Sequence, residues 1–164
     1  MKATQVLETT LNGSQFLLNQ FLSDLSDADL LVRPVPNANH IAWQIGHLIS
    51  SEIGLVRSQL PNAAYPELPA GFAEQDGRET AAQDPAKGFG TKEQYLTLFN
   101  RVREATKQTV NKLTDADLDR ATTGQMAQIA PTLGAYMVLV SNHTLMHAGQ
   151  FSAIRRKLGK PVLF

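Results

Sequence analysis

The chain has no cysteine among its 164 residues, and this absence excludes several kinds of chemistry. It can form no disulfide, and it offers neither a thiolate nucleophile nor a thiolate metal ligand. Long apolar runs are also missing: none approaches the roughly 18 residues of a membrane span, and the amino terminus lacks the apolar block of a secretion signal. We therefore expect a cytoplasmic protein with no membrane partner.

The chain has no excess of either charge, because Lys plus Arg and Asp plus Glu number 15 each. Such a balance gives no long-range attraction for nucleic acid, so we expect no nucleic-acid partner. An apolar fraction of 43% with 18% charged residues is ordinary for a soluble domain that buries a core. The length predicts a single domain over residues 1–164.

Apolar residues recur at helical spacing in four long segments, which predicts four helices. Residues 61–90 separate the second from the third and are rich in proline and glycine without periodicity, which predicts a long loop of the kind that forms lids or binding loops. The helices are expected over about residues 3–23, from a cap at Asn39 to about Leu60, from a Thr91/Gln94 capping box to about Leu113, and from Pro131 at the first helical position to just before Gly159.

A short internal repeat divides these helices into two halves. Residues 25–30 (LSDADL) recur at residues 113–118 as LTDADL, and each copy follows one long helix and precedes another. Ser26 is placed to cap the first of these turns. Two copies are too few for a solenoid, so the pattern predicts that two helix-pair halves combine into an all-α four-helix bundle.

Two of the four histidines, His143 and His147, lie four residues apart in the last helical segment. This spacing places two imidazoles on one helix face, where both can bind one metal ion. His147 also falls on the apolar stripe that includes Val140, Thr144 and Phe151, so a buried core histidine is an equally good interpretation of the pair alone. The pair therefore needs a third ligand before it indicates a metal site.

His47, in the second helical segment, is the candidate third ligand. Three protein ligands with one open position are typical of catalytic metal sites, and facing helices of a bundle are where such sites form. His40 lies roughly 10 Å from His47 along a helix, too far to share the ion, and we expect it to be a solvated residue at the helix start. Glu52 is likewise expected to be solvated, whereas Gln150 could orient a ligand or make a structural hydrogen bond.

These motifs resemble the DinB-like, or YfiT-like, family of metal-dependent proteins, whose relatives include bacillithiol transferases and the amino-terminal domain of mycothiol-dependent maleylpyruvate isomerases. The resemblance consists of Trp43-x-x-Gly46-His47-Leu48, of His143-x-x-x-His147 followed by Gly149-Gln150, of Ile154-Arg155-x-x-Leu158-Gly159 and of the two repeated turns. It implies an up-down-down-up bundle, a divalent metal on His47, His143 and His147, and a homodimer.

For function, the resemblance implies that a low-molecular-weight thiol is deprotonated at the metal and transferred to a small electrophile, in detoxification or stress response. Zinc or nickel is the expected metal, although three imidazoles also suit copper and iron. Two alternatives stay open: a metal-dependent hydrolase that activates water, and a non-catalytic helical module that binds a metal or ligand.

Overall fold

The computed structural model describes residues 1–77, 79–82 and 88–163, and over these residues the predicted all-α architecture is confirmed. In the described ranges the only β-type pairing is a single bridge between Ala121 and Thr132. The α-helices are α1 (Ala3–Leu22), α2 (Ile41–Gln59), α3 (Phe72–Gln75), α4 (Lys92–Val110), α5 (Asp115–Asp119) and α6 (Leu133–Lys157), and two 3-10 turns cover Asp29–Leu31 and Gln125–Gln128. None of the described helices is long and apolar enough to cross a membrane.

Hydrogen bonds between the long helices show the direction of each. α1 runs parallel to α6 and antiparallel to α4, while α2 runs antiparallel to α6, so the predicted up-down-down-up order is confirmed. The bonds between α6 and α1 join Ser141 to Thr10 and Arg155 to Phe21. Those between α4 and α1 join Lys92 to Leu22 and Lys107 to Asn12. Those between α2 and α6 join Gln44 to His147 and Ser58 to Tyr136. Because α2 and α4 are parallel, the connection between them must return along roughly 28 Å of helix.

The two helices of each repeat half do not form a closely packed hairpin, which differs from the expected pairing. α1 packs against α4 and α6, and α2 packs against the same two helices. Each half therefore occupies two diagonal corners of the bundle. Both repeated turns nevertheless share the same capping hydrogen bonds, because Ser26 and Asp29 exchange reciprocal backbone-to-side-chain hydrogen bonds and Thr114 and Asp117 do the same. The first copy continues into a 3-10 turn and the second into α5.

A buried polar layer lies between two apolar core clusters. Arg103 is fully buried and donates from Nε and Nη2 to the Glu52 carboxylate, at 3.0 and 2.8 Å. Its Nη1 donates to Ser14 Oγ and its Nη2 also donates to Thr144 Oγ1, both at 2.7 Å, while the Thr106 hydroxyl donates to Glu52 at 2.6 Å. The expectation that Glu52 is solvated is wrong, because an arginine from another helix compensates its charge inside the bundle.

The start of α2 differs from the prediction by one residue. His40, not Asn39, is the N-cap, and its Nδ1 accepts a hydrogen bond from the Trp43 backbone N–H at 3.2 Å. His40 is fully buried, with its ring edge-on to Phe89 at 4.5 Å between centroids. It lies at a helix start as expected, but it is not solvated, because its imidazole nitrogen provides the cap and its carbon edges pack.

The ends of α4 and α6 follow the sequence signals to within about one helical turn. The Thr91/Gln94 capping box of α4 is confirmed. At α6, however, Thr132 is the N-cap and accepts from the Ala135 N–H, so Pro131 lies outside the helix instead of at its first position. α4 ends at Val110, one turn earlier than expected.

The connection between α2 and α4 is held against the bundle by three aromatic residues. Tyr65 shares a 2.9 Å hydrogen bond with Thr106, Phe72 packs near the Tyr95 ring, and Phe89 meets His40. Residues 78 and 83–87 of the predicted 61–90 loop lie outside the described residues. Within the described part, these side chains pin the connection to the core.

Candidate metal centre

The antiparallel arrangement of α2 and α6 brings the three predicted histidines together. His47 lies 5.3 Å from both His143 and His147 between ring centroids, and the two rings of α6 are 4.9 Å apart. One nitrogen from each ring lies within 4.8 Å of the other two. His147 forms the buried base of this cluster, while His47 and His143 are half-buried towards the surface.

The orientation of His147 is set by Gln44, a residue that the sequence analysis did not select. Gln44 is buried and its Nε2 donates to the Asn39 carbonyl at 2.8 Å, so its Oε1 is the atom that faces His147. Oε1 lies 2.8 Å from His147 Nδ1, which must therefore be the donor. This tautomer leaves Nε2 unprotonated, as a metal ligand must be, and such orienting hydrogen bonds accompany most metal-binding histidines.

Burial favours the neutral form of two of the three histidines. Desolvation lowers the pKa of His147 to about 3, helped by the positive charge that His143 and His47 would carry, and desolvation also lowers the pKa of His143. Imidazoles bind metals only in their neutral form. The environment therefore holds these side chains in the ligating protonation state at neutral pH.

His47 is held from two sides on its own helix. The Trp43 ring stacks on it at 5.0 Å between centroids with a 6° angle between planes, and Ser51 Oγ lies 3.3 Å from His47 Nε2. Trp43 is itself fixed, because its Nε1 donates to the Gly77 carbonyl at 3.0 Å and to Thr80 Oγ1 at 3.2 Å. Trp43 is both a buried core residue and a wall of the site.

The donor set fits a divalent transition metal. Ligands of a tetrahedral zinc ion, at about 2.0–2.1 Å, lie roughly 3.4 Å from one another, so imidazole nitrogens within 4.8 Å need only small side-chain adjustments to converge. Three imidazole nitrogens would leave a bound ion at least one open coordination position, as in catalytic sites.

The exposed side of the cluster opens into an apolar groove of about 740 Å³. His47 and His143 lie in its wall. Facing stripes of α2 and α6 and the segment around Gln125–Gln128 form the rest, and none of the described lining residues carries a formal charge. These residues are Ser51, Gly54, Leu55, Met126, Ile129, Leu139, Asn142 and Met146.

Three other polar residues lie outside the histidine cluster. Gln150 is exposed on α6, and the glutamine that contacts the cluster is Gln44. Asn142, which precedes His143 in the sequence, lines the same groove. His40 caps α2 and lies outside the cluster.

Known proteins match this arrangement of helices. A family model described as the DinB superfamily matches residues 11–151, so the chain belongs to the DinB superfamily, as the motifs predicted. A conserved protein from Enterococcus faecalis has a similar structure, with 18% identity, a TM-score of 0.72 and coverage of 98% of this chain and 99% of that one.

YfiT from Bacillus subtilis, called a probable metal-dependent hydrolase with an unusual four-helix bundle topology, is 16% identical with a TM-score of 0.67, covering 96% of this chain and 89% of its own. No curated protein matches the chain. At these identities the structural matches support the fold alone.

Proposed function

We propose that this protein is a divalent-metal-dependent enzyme in which His47, His143 and His147 hold the ion, and that it transfers a small thiol to an electrophile. The observation that carries the proposal is the cluster itself: three imidazoles from two helices, one oriented by Gln44, beside a groove large enough for a small molecule. A divalent ion held there supplies Lewis acidity, which lowers the pKa of a coordinated thiol or water.

The chain's own residues perform the remaining tasks in this proposal. Gln44 would keep the His147 Nε2 lone pair directed at a bound ion, Trp43 and Ser51 hold His47, and the groove would position the second reactant beside the three histidines. In the transfer, the thiol would lose its proton to solvent and its sulfur would form a bond to the electrophilic carbon. The bond from that carbon to the leaving atom would break, and the leaving group would depart with the bonding electron pair. Because the chain has no cysteine, the sulfur must come from a diffusible thiol.

Hydrolysis is the second candidate, since YfiT, which shares this fold, is called a probable metal-dependent hydrolase. The same three histidines would then serve a reaction in which water attacks an acyl carbon. Product analysis distinguishes the two functions, because S-transfer yields a thioether and needs added thiol, whereas hydrolysis proceeds without it. A homodimer and a cytoplasmic location remain predictions from the sequence.

Metal content is the first test. Untagged protein purified without chelator should contain close to one equivalent of zinc or nickel by inductively coupled plasma mass spectrometry, and His143→Ala/His147→Ala should contain none. His40→Asn is the matched control, because it removes a histidine outside the cluster and asparagine is a good N-cap. Absence of metal from the wild type, with no uptake on titration, would contradict the proposal.

The reaction is tested next on the metal-loaded protein. Consumption of thiol and of a chromogenic electrophile should depend on the metal and should disappear in His47→Ala, while circular dichroism shows that this variant remains helical. Turnover of an activated ester at the same rate with and without thiol would favour the hydrolase.

A further inference from the structure

The groove beside the histidines differs chemically from the rest of the surface. Ile129 and Met146 leave 66% and 55% of their surface exposed, and neither belongs to the core clusters. Leu55, Leu139 and Met126 extend the same apolar lining. Polar groups are confined to the metal end, where Ser51, Asn142 and the histidines lie.

The lack of charged side chains in this lining restricts what can bind. Away from the histidines, a carboxylate, phosphate or ammonium group would lose water on entering, and no described lining residue there offers a compensating charge. Glu52 and Arg103, which lie inside the bundle, are buried and already paired with each other. An uncharged apolar molecule loses little hydration and gains from burying its own surface.

The volume and shape suit a small ligand. About 740 Å³ lies within the usual range of 300–1,000 Å³ for small-molecule sites. The two methionines have flexible, polarizable side chains that adapt to different apolar shapes. The groove also leads directly to His47 and His143, so a molecule lying in it places one end beside the metal centre.

We propose that this groove binds an uncharged, apolar small molecule with its reactive end towards the three histidines, and that this molecule is the electrophile. That the molecule is an electrophile rests on the proposed function. That it is uncharged and apolar rests on the lining of the groove alone. It excludes anionic groups from the part of the groove that lies beyond the histidines.

Gly54 allows a sharp test. A Cβ added at Gly54 would meet no atom within 4 Å, and the same is true of Gly13 on α1, away from the groove. Both glycines lie within helices and neither has a positive φ, so Gly54→Leu and Gly13→Leu should both favour helix. Only Gly54→Leu places a side chain in the groove.

Binding is measured with the neutral fluorophore N-phenyl-1-naphthylamine on metal-loaded protein, with metal content determined in parallel. We expect saturable binding that weakens at least tenfold in Gly54→Leu and stays unchanged in Gly13→Leu, with equal metal content in all three proteins. In competition, repeated on metal-free protein so that an ion cannot hold the sulfonate, 1-octanol should displace the probe at concentrations at least tenfold lower than 1-octanesulfonate.

Two results would overturn the inference: displacement by the sulfonate as effectively as by the alcohol, or binding that Gly54→Leu does not change. A third result would show that a second copy of the chain, and not a small molecule, occupies the groove. If Ile129→Glu converts a dimer to a monomer in sedimentation velocity and the wild type binds no probe, the groove is a subunit interface. Probe binding as expected in a protein that contains no metal would refute the proposed function while leaving the class of occupant intact.

Discussion

Removing the hydrogen bond between Gln44 and His147 should weaken metal binding without removing a ligand. In Gln44→Leu, His147 Nδ1 loses the acceptor that lies 2.8 Å away, and the other tautomer, with its proton on the ligating Nε2, becomes accessible. Partners of this kind are typically worth 10- to 100-fold in metal affinity, or about 1.4–2.7 kcal/mol. We therefore expect the zinc dissociation constant to rise by that factor, measured by competition with a chromophoric chelator at neutral pH.

The control must separate loss of stability from loss of affinity. Gln59 is also buried, near the other end of α2, where it bonds the backbone of Thr123. Gln59→Leu should lower the free energy of unfolding by about 1–3 kcal/mol, as Gln44→Leu also should, because both leave buried polar groups unpaired. Only Gln44→Leu should weaken zinc binding.

Two results would refute this reasoning. Wild-type zinc affinity in Gln44→Leu would show that Gln44 does not orient the ligand, and an equal loss in Gln59→Leu would show that affinity merely follows stability. A long-range proton–nitrogen NMR spectrum of the metal-free wild type adds a direct check, since His147 should appear as the Nδ1–H tautomer.

Three further changes test the packing by denaturant unfolding. Arg103→Met should lower the free energy of unfolding by about 3–5 kcal/mol because it leaves the Glu52 charge buried and unpaired. Arg103→Met/Glu52→Met should recover part of that loss, and no recovery would contradict this explanation. Gly46→Ala should cost about 1–3 kcal/mol, since its Cβ would lie 2.0 Å from Asp76 Cγ, while Gly54→Ala should gain up to about 1 kcal/mol; equal effects would refute this. Burial raises the pKa of Asp76 to about 7, so ionisation destabilises the fold increasingly as the pH rises towards 7. Asp76→Asn should therefore stabilise the protein by up to about 4 kcal/mol at about pH 8 and hardly at all at about pH 4; the same gain at both pH values would contradict the assignment.

The bundle and the histidine cluster were predictable because their signals are local or repeated. Helical spacing identifies four long helices, and the i, i+4 spacing of His143 and His147 places both on one face whatever the tertiary structure. Adding His47 required only that α2 and α6 face each other. The direction of the helices came from the family resemblance, because periodicity alone says nothing about whether two helices run parallel.

The partners of these residues were not predictable in the same way. Glu52 falls on the apolar stripe of α2, between Ile49 and Val56, but its charge indicated the surface, and only the side chain of Arg103, from another helix, shows why it is buried. Gln44 lies three residues before His47 in sequence, but its contact is with His147 on α6. Asp76 is buried against Gly46 by a connection that has no helical periodicity. Each of these contacts depends on tertiary packing.

The long connection between α2 and α4 is joined to the metal centre by the up-down-down-up order itself. Because α2 and α4 are parallel, the chain must return past the amino-terminal half of α2, the part that contains His47. There the Trp43 ring stacks on His47 while its Nε1 donates to Gly77 and Thr80 of the connection. A ligand that fixes His47 therefore also fixes Trp43 against the connection, and by thermodynamic reciprocity an ordered connection favours that position of His47. In this bundle the long connection is thus a structural support of the candidate site as well as a link between helices.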